Sequence, residues 1–173
     1  MNDSMQAKEA FSAVVNGKGF GDLSKMIGTP ILTVRDRNGR IKQVSIIRNL
    51  IVSAGKAGIA SRLNGSGGEA AFTWLAVGVG TTAAAAGNTA LETEITDSGL
   101  ARVNATASRI TTSVTNDTAK LTTTFTVTGT KAVTEAGILN ASSAGTLMCR
   151  QVFSAVNVVN GDSLQLTYSV QAS

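Results

Sequence analysis

The chain has 173 residues, of which 43% are hydrophobic, 4% aromatic and 15% charged, with a formal net charge of +4, one Cys, one Pro and no His. That length accommodates one domain with a real hydrophobic core, and the low charge beside ample apolar content excludes a wholly disordered chain. Without imidazole there is no Ser-His-Asp or Cys-His nucleophile, no His-ligated zinc and no ordinary proton shuttle near neutrality. The expectation is a protein that is not an enzyme and carries no cofactor and no metal.

The single Cys149 lies in the apolar run Thr146-Leu147-Met148-Cys149-Arg150, so it reads as a small hydrophobe and no intrachain disulfide is possible. The segment Met1-Asn2-Asp3-Ser4-Met5-Gln6 has neither a signal nor a transit pattern, and no apolar run approaches the roughly 20 residues that span a bilayer. Synthesis in a cytoplasm without a membrane partner is expected. Charge is uneven: residues 1–62 carry ten Lys/Arg against four Asp/Glu, and residues 63–173 carry five against seven. No aromatic RNA-binding motif, zinc spacing or arginine-rich run accompanies the basic part, so docking on an acidic protein surface is favoured over nucleic acid.

Residues 1–29 show no sustained period and are expected to form an extended arm, ordered against a neighbour. The remaining residues, 30–173, are expected to be one β-sandwich domain. A β-hairpin is expected over 30–47, because apolar runs flank Asp36-Arg37-Asn38-Gly39-Arg40 and Asn38-Gly39 supplies the positive-φ positions of a tight turn. A slim helix follows over 49–63, with Asn49 as N-cap and Asn64-Gly65 as its stop. Strands are expected at 72–79, 102–114, 120–128, 132–139, 146–156 and 163–170, with a short helix over 89–95 capped by Asn88. The alternation Leu121, Thr123, Phe125, Val127 and Leu164, Leu166, Tyr168, Val170 gives two strands one buried face each.

The predicted fold class is therefore mainly β: an antiparallel β-sandwich with an N-terminal arm, a hairpin and one short packed helix. Sixteen threonines between Thr81 and Thr130 place hydroxyl rows rather than charges on exposed faces. Strands so poor in charge lack the lysines that protect the open edges of monomers, which implies a homo-oligomer.

Chemical motifs read more simply as structure. Ser53-Ala54-Gly55-Lys56 has S-x-x-K spacing but no S-D-N or K-T-G companion. Gly78-Val79-Gly80-Thr81-Thr82 lacks the lysine of a phosphate loop and reads as a strand end turning into a loop. Asp36-Arg37-Asn38-Gly39 lacks the distal glutamate of a calcium loop, and Glu92, Glu94 and Asp97 read as solvated carboxylates. Glu135 sits among apolar neighbours on a predicted strand, where an unpaired carboxylate is costly, so it needs a partner from Arg102, Arg109 or Arg150.

Five segments taken in order carry a resemblance: Asn49-Leu50-Ile51-Val52-Ser53-Ala54-Gly55-Lys56, Leu75-Ala76-Val77-Gly78-Val79-Gly80-Thr81-Thr82-Ala83-Ala84, Asn88-Thr89-Ala90-Leu91-Glu92-Thr93-Glu94, Thr134-Glu135-Ala136-Gly137-Ile138-Leu139, and Asn160-Gly161-Asp162-Ser163-Leu164-Gln165-Leu166-Thr167-Tyr168. Over roughly residues 30–171 the chain resembles small structural proteins of tailed bacteriophages. The resemblance implies a β-rich virion component, with capsid decoration (cement), neck, tail or fibre as its station, and supplies no catalytic residue. The expected function is a homo-oligomeric capsid decoration protein. Its partners would be the major capsid protein or other virion proteins, with Lys8, Lys18, Lys25, Arg35, Arg37, Arg40 and Lys42 facing acidic capsid surface. The alternative is a neck, tail or fibre accessory protein that contacts the host surface.

Overall fold

The computed structural model describes residues 26–172. Ten strands and one helix follow one another as β1 (Met26–Arg35), β2 (Ile41–Ile46), β3 (Leu50–Ile51), α1 (Ser53–Asn64), β4 (Trp74–Gly78), β5 (Val103–Asn104), β6 (Thr106–Ile110), β7 (Thr118–Thr126), β8 (Lys131–Leu139), β9 (Leu147–Val158) and β10 (Ser163–Ala172). They make two antiparallel five-stranded sheets, β2-β1-β10-β7-β6 and β3-β9-β8-β4-β5. The fold is the expected mainly β sandwich.

The core lies where the two inner faces meet. On β10 the alternate residues Leu164, Leu166, Tyr168 and Val170 are buried, and their β7 neighbours Phe125 and Leu121 point the same way. Leu75, Val77 and Ile138 answer them from the second sheet. Each such side chain removed from water stabilises the fold by about 1.5–3 kcal/mol before conformational entropy is charged.

The second sheet is covered on its outer side too. There Val52, Ala76, Leu91, Leu139 and Leu147 form a smaller apolar cluster beneath α1 and the loop over 79–101. The helix lies so close that a Cβ on Gly55 would overlap the Met148 carbonyl of β9. Among the described residues the outer face of the first sheet has no such cover, and it is there that the register places Thr122, Thr124, Thr167 and Thr106.

Several local expectations are corrected. The chain pairs from Met26 with Ala172, so the sandwich begins before the expected boundary at 29/30; the rest of the arm lies outside the described residues. The hairpin turn has positive φ only at Gly39 (77°), not at Asn38. Asp36 closes the turn by accepting the Asn38 and Arg40 amides on its carboxylate at 2.8 and 2.9 Å. Asn49 does not cap a helix: its amide donates to the Gly28 carbonyl, the chain continues extended into β3, and α1 starts at Ser53 with Val52 in the cap position. The helix ends where expected, at Gly65 with φ 72°. The strand expected over 102–114 leaves the second sheet and enters the first at buried Ala105, whose amide donates to the Thr73 carbonyl.

Candidate functional site

Two places concentrate chemistry-bearing residues: a buried polar lock under the 79–101 loop, and the basic hairpin with its open edge strand.

The lock is built on Glu135 and Arg150, which face each other from β8 and β9 and are 0% and 1% exposed. Arg150 donates from Nε to Glu135 Oε2 at 2.7 Å, from Nη1 to Asn88 Oδ1 at 3.1 Å and from Nη2 to Glu92 Oε2 at 3.1 Å. Glu135 also accepts the Gly80, Glu92 and Thr93 amides at 3.1, 3.1 and 2.8 Å. Glu92 in turn accepts the Thr82 hydroxyl and amide at 2.7 and 2.8 Å; these bonds, with Arg150 adding to them, hold its carboxyl below the usual range.

This network accounts for motifs that looked unrelated. Gly78 and Gly80 leave the space that the Glu135 carboxylate occupies, since a Cβ on either would press on Oε1. The glycine-rich run thus cradles an anion, and the anion is a side chain of the same chain. The short helix expected over 89–95 does not form, because the Glu92 and Thr93 amides are drawn to Glu135 and Glu94 bridges to Gly78. Asn88 caps nothing helical; its side chain accepts from Ala85 and from Arg150.

Of the ion-pair set expected around Glu135, only Arg150 reaches it. Arg102 grips Glu94 through two bonds of 2.9 and 2.6 Å and donates to the Ala141 and Ala144 carbonyls. Arg109 is exposed on β6 and makes no salt bridge among the described residues, which corrects its place in that set. Asp97 pairs with Lys131, whose hydrogen bond keeps the carboxyl below its ordinary value. The three carboxylates read as solvated therefore each have a cationic partner. Ser53 and Lys56 are both exposed on α1, and no side-chain hydrogen bond joins them.

At the hairpin, Arg35, Arg37 and Arg40 are exposed and form no salt bridge among the described residues; Arg35 donates to the Gly39 carbonyl at 3.2 Å. Lys42 differs from these three arginines, because its ammonium already holds Asp162 at 2.5 Å. Burial works to raise the Asp162 carboxyl, but Lys42 and the Val159 amide outweigh it and keep it below the usual range. Lys8, Lys18 and Lys25 lie outside the described residues. Met26 and Arg35 are opposite ends of a ten-residue strand, roughly 30 Å apart at ~3.3 Å per residue.

Beside the hairpin, β2 carries Ile41, Val44 and Ile46 at 55%, 50% and 70% exposure. At the other margin of this sheet Asn104, Thr106, Ser108, Lys120, Thr122 and Thr124 line an open groove of about 490 Å³. Cys149 is enclosed, with its thiol pushed up to about 12 by burial, and Tyr168 beside it is raised well above 10 for the same reason. No helix among the described residues is long and apolar enough to cross a membrane. No protein family, curated protein or solved structure matches the chain.

Proposed function

We propose that this chain is a structural protein of a tailed-bacteriophage particle, a homo-oligomeric capsid decoration protein that clamps neighbouring capsomers. The observation that carries the reading is the hairpin tip, where Arg35, Arg37 and Arg40 stand exposed without salt-bridge partners among the described residues, next to an apolar edge strand. Guanidinium groups so placed suit the carboxylates of an acidic protein surface. The resemblance of its ordered motifs to small phage structural proteins supports the same reading, and three of those motifs, over 75–84, 88–94 and 134–139, serve a structural lock within this chain. Its action is mechanical: many weak contacts, repeated over a symmetric shell, add by avidity.

The test is copy number per particle together with attachment of the purified protein to empty shells. Copies in the hundreds, and attachment lost when Arg35, Arg37 and Arg40 are all replaced by Ala with the fold unchanged, are the expected results. Six or twelve copies would move the protein to the neck or tail, and absence from particles would end the proposal.

A further inference from the structure

We infer that β2 is a self-pairing edge: a second copy of this chain adds its own β2, antiparallel, across a two-fold axis at Val44. The inference deepens the proposed function, and it rests on that reading for its premise that copies of the chain associate.

The argument starts from the backbone. The Ile47 amide donates to the Pro30 carbonyl and the Asn49 amide to the Gly28 carbonyl, each at 3.0 Å, while Leu32 faces Ser45 and Val34 faces Gln43. In an antiparallel ladder alternate residues direct both backbone groups to the same side. Residues 43, 45, 47 and 49 therefore point theirs at β1, and Val44 and Ile46 point theirs at the open side, where β2 has no neighbouring strand among the described residues. Val44 and Ile46 carry their side chains on the sheet's outer face, because their neighbours Gln43 and Ser45 share the inner side with Val34 and Leu32, while Lys42 is the extra residue of a bulge at Val34/Arg35. Free hydrogen-bonding groups and exposed apolar side chains thus coincide on one short stretch.

Charge selects the occupant. An edge lysine ordinarily blocks strand addition, since pairing would desolvate its ammonium. Here Lys42 is held by Asp162, so the edge is apolar and neutral. A strand equally apolar and neutral is its complement, and another β2 meets that requirement. Antiparallel pairing centred on Val44 sets Val44 against Val44 of the second copy, the two exchanging two backbone bonds, and brings Ile46 of each copy beside Lys42 of the other. Ile31, which is opposite Ile46 on β1, then widens the apolar seam from both sides. Arg35 and Arg37 of the two copies are carried to opposite ends of the joined strands, so the basic tips do not meet. Arg40 and Arg48 flank the paired stretch with like charge, which limits it to residues 42–46 and makes added salt strengthen the association.

The full-length protein is expected to sediment at about twice 17.6 kDa at micromolar concentration. Val44→Lys and Ile46→Lys should each return it to the monomer with an unchanged circular dichroism spectrum, whereas Val159→Lys, at an exposed apolar residue off this strand, should leave the dimer intact. As a second readout, Val44→Cys should form an intermolecular disulfide on mild oxidation, because Cα atoms of a hydrogen-bonded antiparallel pair stand about 5.5 Å apart. Ser45→Cys, directed inward, should not. A monomeric wild type, a dimer indifferent to Val44→Lys, or equal cross-linking at 44 and 45 would each overturn the inference. Because these measurements use the isolated protein, they fail independently of the function: a monomer found in hundreds of copies on shells sinks the edge and spares the decoration reading, and a dimer absent from particles does the reverse.

Discussion

The Glu135 carboxylate and the Arg150 guanidinium meet at 2.7 Å, both shut off from water, and between them they fasten a loop that belongs to neither of their strands. A buried ion pair is not by itself a source of stability, since both ions lose their hydration. This one differs from an isolated pair because Glu135 also accepts three backbone amides, of which that of Gly80 is buried.

Glu135→Gln removes the charge while keeping the shape. It leaves Arg150 with only the partly exposed Glu92 as counter-ion, so a loss of about 3–5 kcal/mol in unfolding free energy is expected. Urea titration measures the loss. Limited proteolysis should show new cleavage within 79–101, and an unchanged urea midpoint would contradict the account.

Stability should be insensitive to pH from about 8 to 5 and fall in acid. There is no histidine to titrate in the neutral range, and Asp117, Glu92, Asp97 and Asp162 are all held below their ordinary values. Asp117 is held lowest, by the Val114 amide first and by the Thr112 and Ser113 amides and the Thr118 hydroxyl with it. A carboxylate depressed in the folded state stabilises fully above its unfolded pKa of about 4 and loses that contribution as pH drops towards the folded value. Urea midpoints should therefore fall below about pH 4, and Asp117→Asn should flatten that fall while lowering stability at neutrality.

Cys149 should be inert in the folded protein. Its thiol is buried and raised to about 12, so thiolate is scarce at neutral pH and a reagent has no path to it. Labelling by an aromatic disulfide at pH 8 should proceed at the rate of unfolding and become immediate in denaturant. Fast labelling of the native protein would show that the core opens locally.

Gly55→Ala should destabilise, although Ala is the better helix former by about 1 kcal/mol. The added methyl overlaps the Met148 carbonyl and must lift α1 from β9, at a cost of about 1–3 kcal/mol. Lys56→Ala on the exposed face of the same helix should stay within about 0.5 kcal/mol of wild type, so thermal melts of the two variants separate helix propensity from close packing.

Elements governed by local chemistry were legible in the sequence. The hairpin follows from Gly39, the end of α1 from Gly65, and the buried faces of β7 and β10 from alternation. What escaped was governed from a distance. Residues 89–95 carry a helical pattern, yet their amides answer to Glu135, more than 40 positions away. Asn49 looks like a cap, yet Gly28 claims its amide. The turn from one sheet to the other at Ala105 has no Gly or Pro to mark it. Burial of Glu135 implied an arginine partner, but residue types alone did not choose Arg150 over Arg102 and Arg109. Nor did they reveal that Asp162 would occupy Lys42, since that contact spans 120 positions.

The register of the two central strands sets how this molecule is to be handled. Met26 is the cross-strand neighbour of Ala172, and Arg35 that of Ser163. Any reporter or affinity handle joined behind the last strand therefore departs from one pole of the sandwich, and the arginine-bearing turn occupies the other. A fusion behind the last strand should thus leave the tip unobstructed, which suits the domain to carrying cargo outward while its opposite end is held.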